Sequence, residues 1–363
     1  MATQLAAAIT SFVIAFLIVP VIIKYSLLKN FVDVPGRRKI HKKITPSMGG
    51  VAIFCGFFIS SFIWINLQYW KNIKFIMVAL FAIFIIGVRD DLIPLRWSFK
   101  LIGQIMAASL LIFLMDLRIT SFYGLFGIYE LPLFVSYGVT YFTIIVVTNS
   151  FNLIDGLDGL AGTIAIISLL MFGAWFYLVG DPIYSVLAFA MLGAILAFLI
   201  FNWEPSEVFM GDTGALVIGL TLAVMAINFL ETNDRLTTEY FQFLGPIGTV
   251  ICIIALPLID TLRIFILRIS KKQSPFKPDK SHIHHAIMRL GMSHGQTTLL
   301  LGSIQVIFIV LAIIFRDHSE RYILSGVILL SFILSIFLDR LILKRLSAKD
   351  ATPDKGAAEE DDL

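Results

Sequence analysis

Long apolar runs dominate this chain, and nothing else in it constrains the fold as strongly. They are about 17 to 25 residues long, the length that a helix needs to cross the hydrocarbon core of a bilayer. They recur near 5–28, 48–67, 73–88, 101–116, 133–148, 159–179, 183–201, 213–230, 243–268, 297–315 and 322–342. In lipid a backbone must satisfy its own polar groups, so only helices and closed barrels span it, and barrels show brief alternating strands instead. The pattern predicts an all-α polytopic membrane protein with about eleven spans. Composition agrees: 58% of the 363 residues are apolar and 15% charged, which excludes an ordinary soluble domain.

Charge sets the expected orientation. With the start of the chain outside, roughly 22 of the 28 Lys and Arg residues fall in inside segments. The run at 5–28 has no basic segment before it and has Arg37, Arg38, Lys39, Lys42 and Lys43 after it, so a retained first helix is expected rather than a cleaved signal peptide. The net charge of +3 reflects loops near lipid headgroups and gives no reason to expect nucleic acid. Cys55 and Cys252 both sit in apolar runs and suggest neither a disulfide framework nor a cysteine metal site. Residues 117–131 read as two short β-prone pieces about a glycine-bearing turn, a small external β-hairpin. The chain is expected to divide into one transmembrane domain, 1–346, and a disordered acidic tail, 347–363.

Five polar clusters interrupt the apolar pattern, and this topology puts all five on the inside face. The first joins Asp33 and Pro35 to Arg38, Lys39, His41, Pro46, Gly49 and Gly50. It reads either as a basic patch against anionic lipid or as a capture site for a phosphorylated substrate. The second, Arg89-Asp90-Asp91, places adjacent carboxylates at a membrane edge, where a neighbouring cation, a metal ion or a bound proton must offset their repulsion. The third runs from Asn149 through Asn152, Asp155 and Asp158 to Gly162. Its period of three drifts about 60° per step on an α-helix, a poor single stripe. The glycines at 156, 159 and 162 suit a helix broken at the membrane boundary, close to a ligand.

Cluster four holds Asn202, Glu204, Pro205 and the run Gly211-Asp212-Thr213-Gly214, where Asp212 is either a helix N-cap or a metal-binding carboxylate beside backbone amides that receive phosphate. Cluster five, His282-Ile283-His284-His285, offers hydrogen bonds to phosphate, while the oxygen-rich surroundings favour Mg²⁺ over Zn²⁺. His294 and His318 carry no signal of their own.

In their order along the chain, these clusters resemble those of the polyprenyl-phosphate N-acetylhexosamine-1-phosphate transferases, the glycosyltransferase family 4 superfamily with WecA/TagO and MraY branches. The basic first loop and the phrase from Ser274 to His285 look more like the WecA/TagO branch. After Asp90-Asp91 comes Leu-Ile-Pro94-Leu-Arg96, without the MraY-like Lys three residues beyond the pair, so the resemblance carries no basic role onto Arg96 or Lys100.

The resemblance implies transfer of a sugar-1-phosphate from a UDP-N-acetylhexosamine, UDP-N-acetylglucosamine foremost, to undecaprenyl phosphate, with release of UMP. It implies Mg²⁺, or Mn²⁺, as cofactor, a bacterial inner membrane setting with cytoplasmic active-site loops, and allows a homodimer. Carried over by motif, Asp212 holds the metal, joined by Asp90 and Asp158. Asp90, Asp91, Asp155 and Asp158 form the catalytic set. Arg38, Lys39, His41, Asn149, Asn152, His282, His284 and His285 bind substrate. A secondary transporter of an anionic substrate is the rival from another class, and it leaves the one-sided placement of the clusters unexplained.

Overall fold

Backbone amides in lipid have no water to bond, so an apolar run closes its hydrogen bonds internally. The computed structural model describes residues 1–29, 32–33, 45–237, 239–272 and 282–350. Its helices are α1 (Ala2–Leu28), α2 (Gly49–Trp64), α3 (Trp70–Leu92), α4 (Trp97–Ser109), α5 (Leu133–Ile154), α6 (Leu160–Leu178) and α7 (Pro182–Asn202). They continue as α8 (Gly211–Arg235), α9 (Pro246–Ile253), α10 (Ala255–Ser270), α11 (Ile283–Arg289), α12 (His294–Ile314) and α13 (Glu320–Asp350). A π-helical stretch, Leu110–Leu114, prolongs α4.

Every expected apolar run contains a helix. Among the described residues eight helical segments are long and apolar enough to cross a membrane, or nine if α9 and α10, bent by 87°, count as one. At 16 residues α2 is about 24 Å long, short of a full crossing. In α3, Lys71 and Lys74 at one end and Arg89, Asp90 and Asp91 at the other shorten the apolar middle. The hairpin is also smaller than expected. It has one antiparallel bridge, Ser121 to Glu130, flanked by the bonds Phe122 N–H to Tyr129 O at 3.0 Å and Leu131 N–H to Thr120 O at 2.9 Å. A separate two-stranded ribbon pairs β1 (Val32–Asp33) with β2 (Thr45–Pro46), Val32 opposite Pro46 and Asp33 opposite Thr45. The helix α13 continues to Asp350, four residues into the expected tail, and 351–363 lie outside the described residues.

The centre of the bundle is α8, whose apolar window is buried throughout. It packs against α2, α3, α5, α6, α7 and α9. Small residues permit that crowding, since helices in lipid associate through close backbone approach rather than a hydrophobic drive. A Cβ on Gly87 of α3 would lie 2.5 Å from Thr213 Cα, and one on Gly219 would lie 2.8 Å from Thr148 Cα of α5. On the periphery, α1 packs on α2 and α7 and turns Leu17 and Val21 outward, as lipid requires.

The far end of the bundle is tied by a carboxylate. Glu320, 2% exposed at the start of α13, accepts the amides of Ile247 at 2.6 Å and Gly248 at 2.9 Å, the first amides of α9. Hydrogen bonds to a charged group contribute about 1.5–3 kcal/mol, and a buried donor left alone costs about as much again. Glu320→Ala is expected to destabilise the protein by about 2–3 kcal/mol. Thermal unfolding in detergent measures this, and a melting point equal to wild type contradicts it.

Candidate active site

The site begins where α5 stops. Gly156 N–H turns back to Ile154 O at 2.9 Å, Gly159 takes φ of 73°, and α6 starts at the next residue. A side chain at Gly159 would also collide with the Trp203 ring, 3.0 Å from its Cβ position. Asn202 anchors this turn: its Oδ1 accepts Gly159 N–H at 3.0 Å and its Nδ2 donates to Val208 O at 2.8 Å. The break expected from the glycines at 156, 159 and 162 is therefore present. Asn149 and Asn152 lie on α5, while Asp155 and Asp158 lie in the turn. Asn149 sits about 9 Å along α5 from Asp155. Its amide pairs with Gln104 of α4 at 2.7 and 3.2 Å, which joins those helices rather than opening to the turn.

Across from the turn, the end of α3 meets the start of α8. Asp91 receives Asp212 N–H at 2.7 Å, Thr213 N–H at 3.1 Å and Thr213 Oγ1 at 2.5 Å. A carboxylate there satisfies amides that have no partner within the helix and complements its dipole. Asp91, expected in the catalytic set, thus has both oxygens engaged by the backbone and hydroxyl of α8. It caps that helix from outside, and this frees Asp212 from the N-cap role that its own position allowed.

The Asp212 carboxylate instead meets Lys100 Nζ at 3.0 Å, and Lys100 also makes an ion pair with Asp90. Asp90 accepts Leu95 N–H at 2.5 Å as well. Of the two cations that follow the pair, Arg96 is exposed, whereas Lys100, one turn into α4, bridges the two carboxylates. Arg89, although adjacent to Asp90, donates to Ile93 O.

Glycines make this approach feasible. A Cβ on Gly211, whose φ is 71°, would lie 2.1 Å from Ser47 O and 2.6 Å from Asp91 Oδ2. The amides of Gly49 and Gly50 donate to Phe209 O at 2.9 Å and Met210 O at 2.8 Å. The Gly49-Gly50 pair of the first cluster therefore secures the loop that carries Asp212. Arg38, Lys39 and His41 of that cluster lie outside the described residues.

Asp158 is buried and receives Ser206 Oγ at 2.9 Å, with His294 Nδ1 3.1 Å from its other oxygen. Glu204 holds that histidine's segment: it accepts Ser293 Oγ at 2.8 Å and Gly295 N–H at 2.7 Å, and the Gly295 amide leads the bonds that keep its carboxyl below the usual range. By contrast, Asp155 has no hydrogen-bond partner among the described residues. Burial pushes its carboxyl up to about 8, and the charges of Asp212, Asp91 and Asp158 add to the effect.

The histidine cluster closes the site over the turn. His284 is 1% exposed, and its Nε2 lies 2.9 Å from the Cβ position of Gly156. Burial, followed by the neighbouring His285, pushes its pKa down to about 3. His284 is accordingly neutral and offers hydrogen bonds rather than charge. His282 Nδ1 meets Asp260 at 2.8 Å.

The raised pKa of Asp155 has a consequence for stability. Between the unfolded carboxylate value near 3.9 and about 8, the folded state binds more protons than the unfolded state, so stability falls as pH rises through that window. Asp155→Asn is expected to flatten this decline, measured as melting temperature against pH in a chelating buffer. An unchanged slope contradicts the assignment.

Sequence reasoning left Lys100 open and missed Ser206, His294 and Asp260. A buried acid inside the apolar run 243–268 is a signal that could have exposed Asp260. The roles of Ser206 and His294 depend on contacts 48 and 136 residues away in the chain, and no local pattern encodes them. As they stand, no three His, Cys, Asp or Glu side chains among the described residues are grouped to hold an ion. A hard cation of the Mg²⁺ type needs only one or two protein carboxylates. Asp90 and Asp212 already face a cationic group, with the unpartnered Asp155 in electrostatic reach of Asp212, so the donor chemistry fits such an ion.

The acidic end of α3 and the acidic start of α8 thus converge on Lys100 inside a multi-pass apolar bundle. The model of glycosyl transferase family 4 matches residues 73–230. The chain is 32% identical over 314 residues, 86% of this chain and 85% of the relative, to the probable undecaprenyl-phosphate N-acetylglucosaminyl 1-phosphate transferase of Bacillus subtilis (strain 168). It is 30% identical over 323 residues to the undecaprenyl-phosphate alpha-N-acetylglucosaminyl 1-phosphate transferase of Escherichia coli (strain K12), covering 87% of this chain and 84% of that protein. The relative of that name from Salmonella typhi is 29% identical over 348 residues, with coverage of 94% and 92%. The chain belongs to glycosyl transferase family 4, as the ordered motifs implied.

Proposed function

We propose that this protein transfers N-acetylglucosamine-1-phosphate from UDP-N-acetylglucosamine to undecaprenyl phosphate. The products are UMP and undecaprenyl-diphosphate-N-acetylglucosamine, the first lipid-linked intermediate of a cell-envelope glycan. The carrying observation is the Asp90–Lys100–Asp212 centre with Asp155 in electrostatic reach of Asp212, in a chain whose relatives bear that activity in their names. In this reading the protein lies in the bacterial cytoplasmic membrane with the site toward the cytoplasm.

The chemistry follows from charge. An oxygen of the lipid phosphate attacks the sugar-bearing phosphorus of the nucleotide, and the bond from that phosphorus to the UMP oxygen breaks. One phosphoanhydride replaces another, so the site must position and screen anions more than supply a strong base. Asp212 and Asp90 would hold Mg²⁺, or Mn²⁺, which when bound neutralises phosphate charge and aligns attacker and leaving group. Lys100 adds a fixed positive charge between the same carboxylates. Asp91 keeps the start of α8, and with it Asp212, in place.

Asp158, held by Ser206 and next to His294, fixes the turn against α12, while Asn152 and Asp155 line the nucleotide side. His282, His284 and His285, with Arg38, Lys39 and His41 of the first loop, hold phosphates and the uridine-sugar portion.

The test is UMP release by purified protein with UDP-N-acetylglucosamine, undecaprenyl phosphate and Mg²⁺, each omitted in turn. Release that requires all three supports the reading, and no release with any UDP-N-acetylhexosamine overturns it. Running UDP-N-acetylmuramoyl-pentapeptide in parallel distinguishes the MraY-like alternative. Uptake of an anionic substrate into proteoliposomes without UMP release would favour a transporter.

A further inference from the structure

Asp260 lies on α10, apart from the Asp90–Lys100–Asp212 centre, and no step above uses it. A carboxylate inside an apolar segment is costly to bury unless its oxygens are bonded. Asp260 is 2% exposed, and both oxygens are taken by the start of α11. Oδ2 meets His282 Nδ1 at 2.8 Å, and Oδ1 accepts Ile283 N–H at 2.9 Å. Two bonds from one side chain fix both the ring and the backbone that carries it.

The line continues toward the turn. The rings of His282 and His284 stack with centroids 5.7 Å apart and planes 12° apart. His284 in turn lies against Gly156, directly after Asp155. Asp260, His282, His284 and Gly156 thus form a continuous contact from α10 to the broken end of α5. A carboxylate that faces a ring nitrogen as an acceptor calls for the ring hydrogen on that nitrogen, here Nδ1. Nε2 has no hydrogen-bond partner among the described residues.

We propose that Asp260 is a positioning residue for the transfer reaction: it fixes the His282 ring with Nδ1–H toward itself and leaves Nε2 as the nitrogen that meets a substrate phosphate oxygen. The second bond, to Ile283, holds α11 so that His284 stays seated on Gly156. This rests on the proposed transferase reading for its substrate, but the ring geometry is independent of it. A carboxylate behind a histidine is a common way to set which ring nitrogen faces a ligand.

Asp260→Asn separates positioning from packing, because Asn keeps the volume and an acceptor for Ile283 while presenting an NH₂ group to Nδ1. The variant should move the His282 hydrogen from Nδ1 to Nε2. Nitrogen NMR of protein with ¹⁵N-labelled histidine in nanodiscs reads this directly, with the His282 signals assigned by their loss in His282→Gln. The variant should also lower kcat/KM for UMP release at least about tenfold, with little change in melting temperature. In the His282→Gln background, Asp260→Asn should add less than about twofold, since both changes remove one linked effect.

Asp260→Glu, which keeps a carboxylate, should recover part of the loss and retain hydrogen on Nδ1. Unchanged His282 nitrogen signals in Asp260→Asn, or losses that multiply in the double variant, overturn the proposal. So does Asp260→Asn activity within about twofold of wild type. If the wild-type protein releases no UMP, the transferase reading fails, and the nitrogen spectra alone decide the placement of the ring.

Discussion

Asp212→Asn is expected to give a folded protein whose UMP release falls at least about tenfold, a loss of about 1.4 kcal/mol of transition-state stabilisation. Folding should survive because the backbone amide of Asp212, not its side chain, bonds Asp91 at 2.7 Å. Capping of α8 is therefore untouched. What disappears is one of two carboxylates around Lys100, and with it half of the acidic pair offered to a divalent ion. A second readout accompanies the kinetic one. The Asp212 charge is the first neighbouring charge, after burial, that raises Asp155, so the variant should lower that group from about 8. The pH at which stability declines should shift down with it. Asp158→Asn should also lose at least about tenfold, by loosening the turn from Ser206. Near-normal turnover in a well-folded Asp212 variant would remove the centre from the mechanism.

Gly50→Val should be more damaging to the fold itself. A Cβ at this position would lie 2.0 Å from Gly214 N and 2.5 Å from Gly214 Cα. Both are backbone atoms of α8, so no side chain can swing aside, and α2 must separate from the central helix. That movement strains the Gly50 amide bond to Met210 O and displaces the loop that carries Asp212. Destabilisation above about 3 kcal/mol is expected, at the upper range of overpacking effects. Gly138→Ala is the control, since nothing lies within 4 Å of its Cβ position. Size-exclusion yield and thermal unfolding compare the two; equal melting temperatures would show that the helices are less closely apposed.

Much of this arrangement is legible in the sequence because membrane insertion imposes a long, simple period. The eleven apolar runs correspond to helices, and the glycine-punctuated stretch after Asn149 does break between α5 and α6. What the period does not encode is depth. A run such as 48–67 looks as apolar as its neighbours, yet its helix ends at Trp64 after 16 residues. The 87° bend between α9 and α10 is likewise hidden in a continuous apolar run.

In the site, acidic motifs were legible because charge in an apolar chain must serve something. Their partners were not. Lys100 reads as an ordinary inside cation until α4 packs beside α3 and places it between Asp90 and Asp212. Asp91 and Asp212 look alike in sequence, and only the approach of α3 to α8 makes one a cap and leaves the other to pair with Lys100.

The enclosure of α8 bears on how the protein is made. Once assembled, the apolar window of this helix meets other helices on every side, so its hydrophobicity no longer serves contact with lipid. The same segment must nonetheless partition into the bilayer as it leaves the insertion machinery, before α9, the last of its neighbours along the chain, has been synthesised. Its sequence answers two solvents in succession, hydrocarbon during biogenesis and protein afterwards. Gly214, Gly219, Ala223 and Ala226 satisfy both, being apolar enough to enter and small enough to be enclosed.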